Sequence, residues 1–559
     1  MTERFRITGG YVYDPRHGID GQVKDLWIEN GKIIDAPSDS SQKPDRQLDA
    51  RGLVVMPGGI DMHCHIAGPK VNAARKMRPE EKRHGAVMAR NPQMHSGTLG
   101  SVPSTFATGY RYLGLGYTTA FDAAVPPLSA RHAHEEFEDT PAIDKGFYVL
   151  TGNNHFAMES IKELDTEKLD NFVAWLLGAA KGYAIKVVNP GGVEVWKQRQ
   201  AGNVTDLDQK IDHFEIKPRD IIRELAASAG RLGLPHPIHI HANNLGLPGN
   251  WETTLETMRA LDGHRGHMTH IQFHSYGGGD SDETTFCSRV AELADYVNEH
   301  PEITVDVGQV LFGETTSMTG DGPLGFYLHQ VYGTKWFSAD TELEAGCGIA
   351  PIKYRNKSLI HAWQWAIGLE WYLLVTDPWR VVMSTDHPNG GSFLAYPQII
   401  RLLMDRDYRR DTLKTVHPEV QRSSCLAELD RQYTLNEICI ITRAGPAKIL
   451  GLTHKGHLGT GADADITIYE PHENKQLMFE LPKYVIKAGQ LLVDQGEIRE
   501  TTFGKTLHVA PEHDLQREKE ISDWFEKYYT IRFRNYPVGD EYLQKSQVVS
   551  CDPQGSSGS

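Results

Sequence analysis

The chain has 559 residues, 40% of them hydrophobic and 23% charged, with a formal net charge of −15. That is the composition of an ordinary globular protein, too long for one small core. The acidic balance argues against nucleic acid as the main partner, because phosphate binding calls for a basic surface.

The opening "MTERFRITGG" carries charge at once and has no apolar signal-peptide core. Residues 1–53 hold strand-like pieces with glycine turns, such as "RITGGYVYDP" and "KDLWIENGKIIDA". A similar texture returns in 451–510, in "GHLGTGADADITIYEP" and "KYVIKAGQLLVDQGEI". Small sheet modules therefore flank a long middle section.

That middle section, 54–450, alternates apolar strand runs with helical stretches. The candidate strands are "LVVMPGGIDMHCH", "GYTTAFDAA", "GFYVLTGNN", "GYAIKVVNP", "PIHIHANN", "HMTHIQFHS", "ITVDVGQVLF" and "VVMSTDHPN". Between them lie helical stretches such as 166–181, 219–233 and 287–300. Apolar strands alternating with helices imply parallel strands buried on both faces. Their number suggests an α/β fold of the (β/α)8 barrel type, with an open doubly wound sheet as the alternative. Long connections at 66–115, 190–236 and 313–380 would enlarge the functional face of such a barrel.

The most apolar stretch, 358–375, contains His361, Gln364 and Glu370. It is too short and polar for a membrane span and is expected to be a buried helix. The tail, 511–559, opens with a charged amphipathic helix carrying Ile521, Trp524, Phe525 and Tyr528. It either packs back on its own barrel or docks onto a neighbouring protein of a complex. The last stretch, "CDPQGSSGS", is expected to be disordered. The 6 cysteines are scattered, without a Cys-x-x-Cys pair. This argues against a disulfide framework, a cysteine-type zinc finger or an iron–sulfur site, and a cytoplasmic location is expected.

Polar residues gather where the candidate strands end. The first ends His63-Cys64-His65, the fourth carries Lys186, the fifth His239 and His241, the sixth His270 and His274, and the eighth Asp386-His387. Side chains two apart share a strand face, so each histidine pair can aim at one spot. Each feature alone has an ordinary explanation: a hydrogen-bonded core histidine pair, an edge lysine or an aspartate cap. Their joint placement favours a metal site. Neutral imidazole suits zinc or a similar divalent ion. A lysine serves if CO2 adds to its neutral amine, giving an anionic carbamate that can bridge two metals, and burial helps by lowering its pKa. An aspartate beside the metals can shuttle the proton of an attacking water.

"PGGIDMHCH", Lys186, His241, His270 and "TDHP" resemble the amidohydrolase superfamily. "IENGKI" and "GTGADADITIY" look like the two halves of its composite β-sandwich. "GGIDMHCHIAGPKVN", "GYAIKVVNPGG", "HPIHIHANNLGLPGNWETT", "HMTHIQFHSYGG" and "STDHPNGGSF" are similar to one branch, the A-type subunits of formylmethanofuran dehydrogenase and of the related formyltransferase/hydrolase complex. The resemblance runs over nearly the whole chain.

It implies a barrel at 54–450 and a sandwich built from 1–53 and 451–510. It implies two divalent ions, zinc as expected here, held by His63, His65, a carboxylated Lys186, His241, His270 and Asp386, the last also handling the proton. His239 competes with His241 and His274 with His270. The loser of each pair, with Asn189, Asn243, His387, Lys70 and Asn72, would support the ligands or contact substrate. The implied reaction interconverts an N-formyl furan coenzyme and water with the free amine and formate. The implied partners are the other subunits of such a complex, with no nucleic acid and no membrane. A basic stretch, Lys70, Arg75, Lys76, Arg78, Lys82 and Arg83, could receive an acidic coenzyme tail. A free-standing cyclic-amide hydrolase of the hydantoinase or dihydroorotase type and a non-catalytic scaffold are the competing readings.

Overall fold

The apolar run at 53–65 forms two strands where one was expected. Val54–Pro57 belongs to one sheet and β1 (Gly59–Cys64) to another. The break falls at glycines: a Cβ on Gly58 would lie 2.2 Å from the Thr118 hydroxyl, and one on Gly59 would lie 2.7 Å from the Tyr117 ring. Only glycine lets the backbone pass so close. The computed structural model describes residues 4–38, 43–83, 100–199, 204–279 and 283–552.

From β1 the chain winds through parallel strands, each beside the last: β2 (Tyr117–Val125), β3 (Asp144–Leu150), β4 (Ala184–Val188), β5 (Ile238–His241), β6 (Gly266–Met268), β7 (Ile303–Asp306) and β8 (Val381–Val382). A parallel bridge between Cys64 and His387, with the His65 amide donating to His387 O at 2.7 Å, brings the end of β1 against the segment after β8. The sheet is thus curled into a (β/α)8 barrel, and the open doubly wound alternative falls.

Helices cover its outside. Thr166–Ala180 starts where the Asp165 side chain accepts from the Lys168 amide at 2.8 Å, and ends where Lys181 turns left-handed. Pro218–Arg231 buries Ile221, Ile222, Leu225 and Ala229, the spacing of a stripe facing the barrel. Leu359–Leu374, from the most apolar stretch, is buried on almost every side. Among the described residues no helix is long and apolar enough to cross a membrane.

The two chain ends meet in a second, nine-stranded sheet. Val54–Pro57 pairs antiparallel with Ile466–Tyr469 and parallel with part of Arg4–Asp14. This sheet has its own core, including Phe5, Ile7, Ile28, Val55, Ile466, Ile468 and Ile486. Its C-terminal part stops at Ile498. Thr506–Val509, expected in the same module, pairs instead with β3 of the barrel and with Ser546–Val549 of the tail. Between barrel and sheet lies a buried ion-pair network. The Lys455 amine is 2.6 Å from Asp144, 2.7 Å from Asp465 and 3.1 Å from Asp463, and Lys487 reaches Asp144 at 2.6 Å and Asp465 at 2.8 Å. These carboxylates could crowd a cation, but the lysine amines already occupy their centre.

The tail packs on its own barrel. Helix Glu518–Tyr528 buries Ile521 and Phe525, with Phe525 edge-on to Trp175 at 5.3 Å and the Trp524 indole donating to Glu159 at 2.7 Å. Residues 553–559, the end expected to be disordered, lie outside the described residues.

Between β7 and β8 a large insertion builds a three-stranded antiparallel sheet, Gly313–Thr319, Glu344–Tyr354 and Phe337–Thr341, with α1 (Gly322–Tyr332) laid across it. This insertion roofs the C-terminal end of the barrel, where the site lies.

Candidate metal centre

A cavity of about 430 Å³ opens at the C-terminal ends of the strands. His63, His65, Lys186, His241, His270 and Asp386 line its floor. Its walls are apolar and aromatic, with Leu245, Phe273, Phe286, Leu324, Tyr327 and Tyr354 among them. All the residues expected as ligands therefore face one space.

The tightest convergence is His63, His65 and Asp386, whose ligating atoms lie within 4.8 Å of one another. Asp386 Oδ1 is 3.0 Å from His63 Nε2 and 3.2 Å from His65 Nε2. Asp386 Oδ1 and His63 Nε2 are buried and face each other, yet neither makes a hydrogen bond of acceptable geometry among the described residues. The same holds for Lys186 Nζ, His270 Nδ1 and both ring nitrogens of His274. Unpaired buried polar atoms are costly, and so many around one cavity fit a bound cation better than an empty core. The donor set of imidazoles, a carboxylate and an amine suits a divalent ion.

The charges agree. Burial works to lower the His63 pKa, but Asp306 and Asp386 outweigh it and raise it to about 9. Surroundings that favour a proton on His63 favour a metal cation in its place. Burial would raise Asp386, yet His63 and His65 hold it well below the usual carboxylate range. For Lys186, burial dominates and lowers the amine to about 7, against the opposite pull of Asp306 and Asp386. A large share of neutral amine follows near neutral pH. Burial also drives His270 and His274 well below the ordinary imidazole value, so both rings are neutral.

Supporting contacts separate the competing histidines. His239 spends both nitrogens inside the barrel: Nδ1 lies 2.9 Å from His236 Nε2, and Nε2 lies 2.9 Å from His63 Nδ1. It does not line the cavity, whereas His241 does. His270 also reaches the cavity wall, and His274 stacks behind it with ring centroids 5.3 Å apart. His270 and Asp386 adopt left-handed backbones with φ of 35° and 49°, and such strain collects at functional sites. The chain makes room for His270 with Gly308, where a Cβ would sit 2.5 Å from the histidine's own.

Of the other expected residues, Lys70 is buried beside the site. Its amine is 3.0 Å from His65 Nδ1, 2.5 Å from Ala124 O and 3.7 Å from Asp122. Asn243 donates to the Asn189 side chain at 2.8 Å, and Asn189 donates to Asp321 at 3.2 Å. His387 accepts from the Phe393 amide at 3.3 Å and does not line the cavity. Nor does Asn72, which is bonded to Arg75 at 2.7 Å and placed 3.2 Å from His132. In the basic stretch, Arg75 is paired with Glu136 at 3.0 Å and Arg78 with Glu81 at 3.1 Å, so neither is a free cation. The side chains of Lys82 and Arg83 lie outside what the structure describes.

Three carboxylates escaped sequence reasoning. Asp306 receives His63 Nδ1 at 3.1 Å, His267 Nε2 at 3.2 Å and the His270 amide at 3.0 Å. Asp122 accepts from the Ile66 and Ala67 amides at 2.8 and 3.0 Å, fixing the turn after His65. A lone aspartate in each apolar run, "ITVDV" and "TAFDAA", was the available signal. Asp321, from the insertion, takes His241 Nε2 at 3.2 Å, and no local pattern announces it.

A curled parallel barrel with this donor cluster at its C-terminal mouth defines a metal-dependent hydrolase of the α/β-barrel class. A family model described as "Amidohydrolase family" matches residues 46–493. Protein FwdA of Methanocaldococcus jannaschii is 46% identical over 98% of both chains. The A-type subunit of the formyltransferase/hydrolase complex Fhc of Methylorubrum extorquens is 36% identical over 96% of both. The crystal structure of the FhcABCD complex from that organism, in complex with methylofuran, superposes with a TM-score of 0.92 at 35% identity, covering 98% of this chain and 100% of the other. The chain belongs to the amidohydrolase family, in the branch that holds FwdA and its Fhc counterpart.

Proposed function

We propose that this chain interconverts an N-formylated furan coenzyme of the methanofuran or methylofuran type, plus water, with the free amine and formate. It does so as the amidohydrolase-like subunit of a multi-subunit one-carbon complex. The observation that carries this reading is the convergence of buried His63, His270, Lys186 and Asp386 atoms that make no hydrogen bond among the described residues, on the floor of one apolar-walled cavity. Identity of 46% with FwdA and the TM-score of 0.92 with the methylofuran-bound complex support the substrate class.

His63, His65, Lys186 and Asp386 would hold one divalent ion, and Lys186, His241 and His270 a second, zinc in both cases. Lys186 serves as a carbamate, formed when its neutral amine bonds to CO2 and releases a proton. When bound, such ions polarise a carbonyl and lower the pKa of water. Asp386 then takes the proton of the attacking water and returns it to the departing nitrogen as the C–N bond breaks. The reverse course makes the formyl amine from formate. The apolar walls bury the coenzyme beside the ions and exclude bulk water. Asp306 holds His63 by Nδ1, leaving Nε2 to face Asp386 and the cavity floor. Other subunits would supply or remove formate.

A cyclic-amide hydrolase is the weaker reading: the dihydroorotase of Elusimicrobium minutum matches only 12% of this chain. Incubating the purified native complex with the formylated coenzyme and, separately, with a hydantoin tests the choice. Formate release from the first and an unchanged second are expected. Ring opening of the hydantoin with no formate from the coenzyme would overturn the proposal.

A further inference from the structure

Asp321 does not come from the barrel. It sits in the insertion between β7 and β8, as the N-cap just before α1, and is 3% exposed. Its two oxygens do different work. Oδ2 lies 3.2 Å from His241 Nε2. Oδ1 accepts from the Leu324 amide at 3.2 Å, capping α1, and from Asn189 Nδ2 at 3.2 Å. Asn189 is fixed in turn by Asn243 and follows β4, the strand of Lys186. The helix that Asp321 caps lines the cavity with Leu324, Tyr327, Leu328, Val331 and Tyr332.

We propose that Asp321 is a positioning residue that ties the metal centre to the substrate wall: through Oδ2 it sets the His241 ring for metal binding, and through Oδ1 it anchors α1 over the cavity. A carboxylate accepting from one imidazole nitrogen fixes the tautomer and leaves the lone pair on the other for a metal. Because one side chain serves both, a shift of α1 moves the acceptor of His241, and loss of that acceptor loosens the ring. The inference rests on the proposed role of His241 as a ligand.

Asp321→Asn separates the two tasks. Its amide oxygen can still cap α1, while its NH2 group opposes His241 Nε2. In the full-length chain stripped by chelator, Zn2+ titrated against a chromogenic competitor should bind one of its two sites about 10–100-fold more weakly. Turnover of the formylated coenzyme should lose kcat with KM changed by less than about threefold. Asp321→Ala should lose Zn2+ affinity equally and raise KM as well, because the cap goes too. Asp321→Ser, a cap too short for His241, should behave like Asn and guards against misfolding of either variant.

Zn2+ affinity within about twofold of the parent in Asn and Ser, both folded by circular dichroism, would overturn the positioning role. His241→Ala is the control for the underlying reading. If it keeps both ions, the ligand assignment fails; if it loses one while the Asp321 variants lose none, only the inference about Asp321 fails.

Discussion

Lys186 is buried to 1% exposure with no hydrogen-bond partner among the described residues, an arrangement that an inert core lysine would not tolerate. As the proposed carbamate it would gain oxygens and a negative charge suited to divalent ions. Lys186→Ala should lose bound metal, with partial recovery on adding short carboxylates; elemental analysis and turnover read both effects. Asp386→Asn should keep most of the metal and lose about 10²–10⁴-fold in kcat, the usual share of a proton-transferring group; full activity would remove Asp386 from that role. At this scale the sequence was informative because the barrel sends strand ends to one face, so a histidine, lysine or aspartate there declares itself. Support that runs between distant elements was hidden. Asp306 reads as one more strand residue until His63, His267 and His270 are seen around it, and Asp321 is brought in by an insertion whose path no periodicity describes.

The insertion and the tail are joined through Glu344. This buried residue begins the strand Glu344–Tyr354 and accepts from Tyr536, from Tyr529 at 3.4 Å and from the Leu128 amide at 3.1 Å. Burial raises its pKa to about 8, outweighing those hydrogen bonds. An unfolded glutamate titrates near 4.3, so the folded chain retains a proton that the unfolded chain has already released. The stabilisation from Glu344 is complete below about pH 4 and declines through the window up to about pH 8. Glu344→Gln should flatten this part of the stability profile, measured by urea unfolding between pH 5 and 9; an unchanged slope would refute it. The strands and main helices were legible from apolar runs and their spacing. Two departures had physical causes outside that pattern. The first run divides because Thr118 and Tyr117 crowd Gly58 and Gly59, and Thr506–Val509 joins the barrel because it pairs with β3 and with the tail.

For the whole molecule, the network of Asp144, Asp463, Asp465, Lys455 and Lys487 fastens the barrel to the sheet of the chain ends. Burial opposes the charge on Lys455, and three carboxylates outweigh it and hold its pKa well above the ordinary lysine value. Lys455→Ala leaves those carboxylates with too few cations and should cost about 3–5 kcal/mol, the typical loss when one partner of a buried pair is removed. Chemical denaturation measures this, and a loss below about 1 kcal/mol would show the network to be redundant.

The pairing of Val54–Pro57 with Ile466–Tyr469 also orders events during synthesis. The amino-terminal strands emerge first but must wait for some four hundred further residues before their partners exist. Until then Val55 and its neighbours present an unpaired, apolar sheet edge. Long-range closure of this kind is slow, so that edge stays open until translation has supplied its partner.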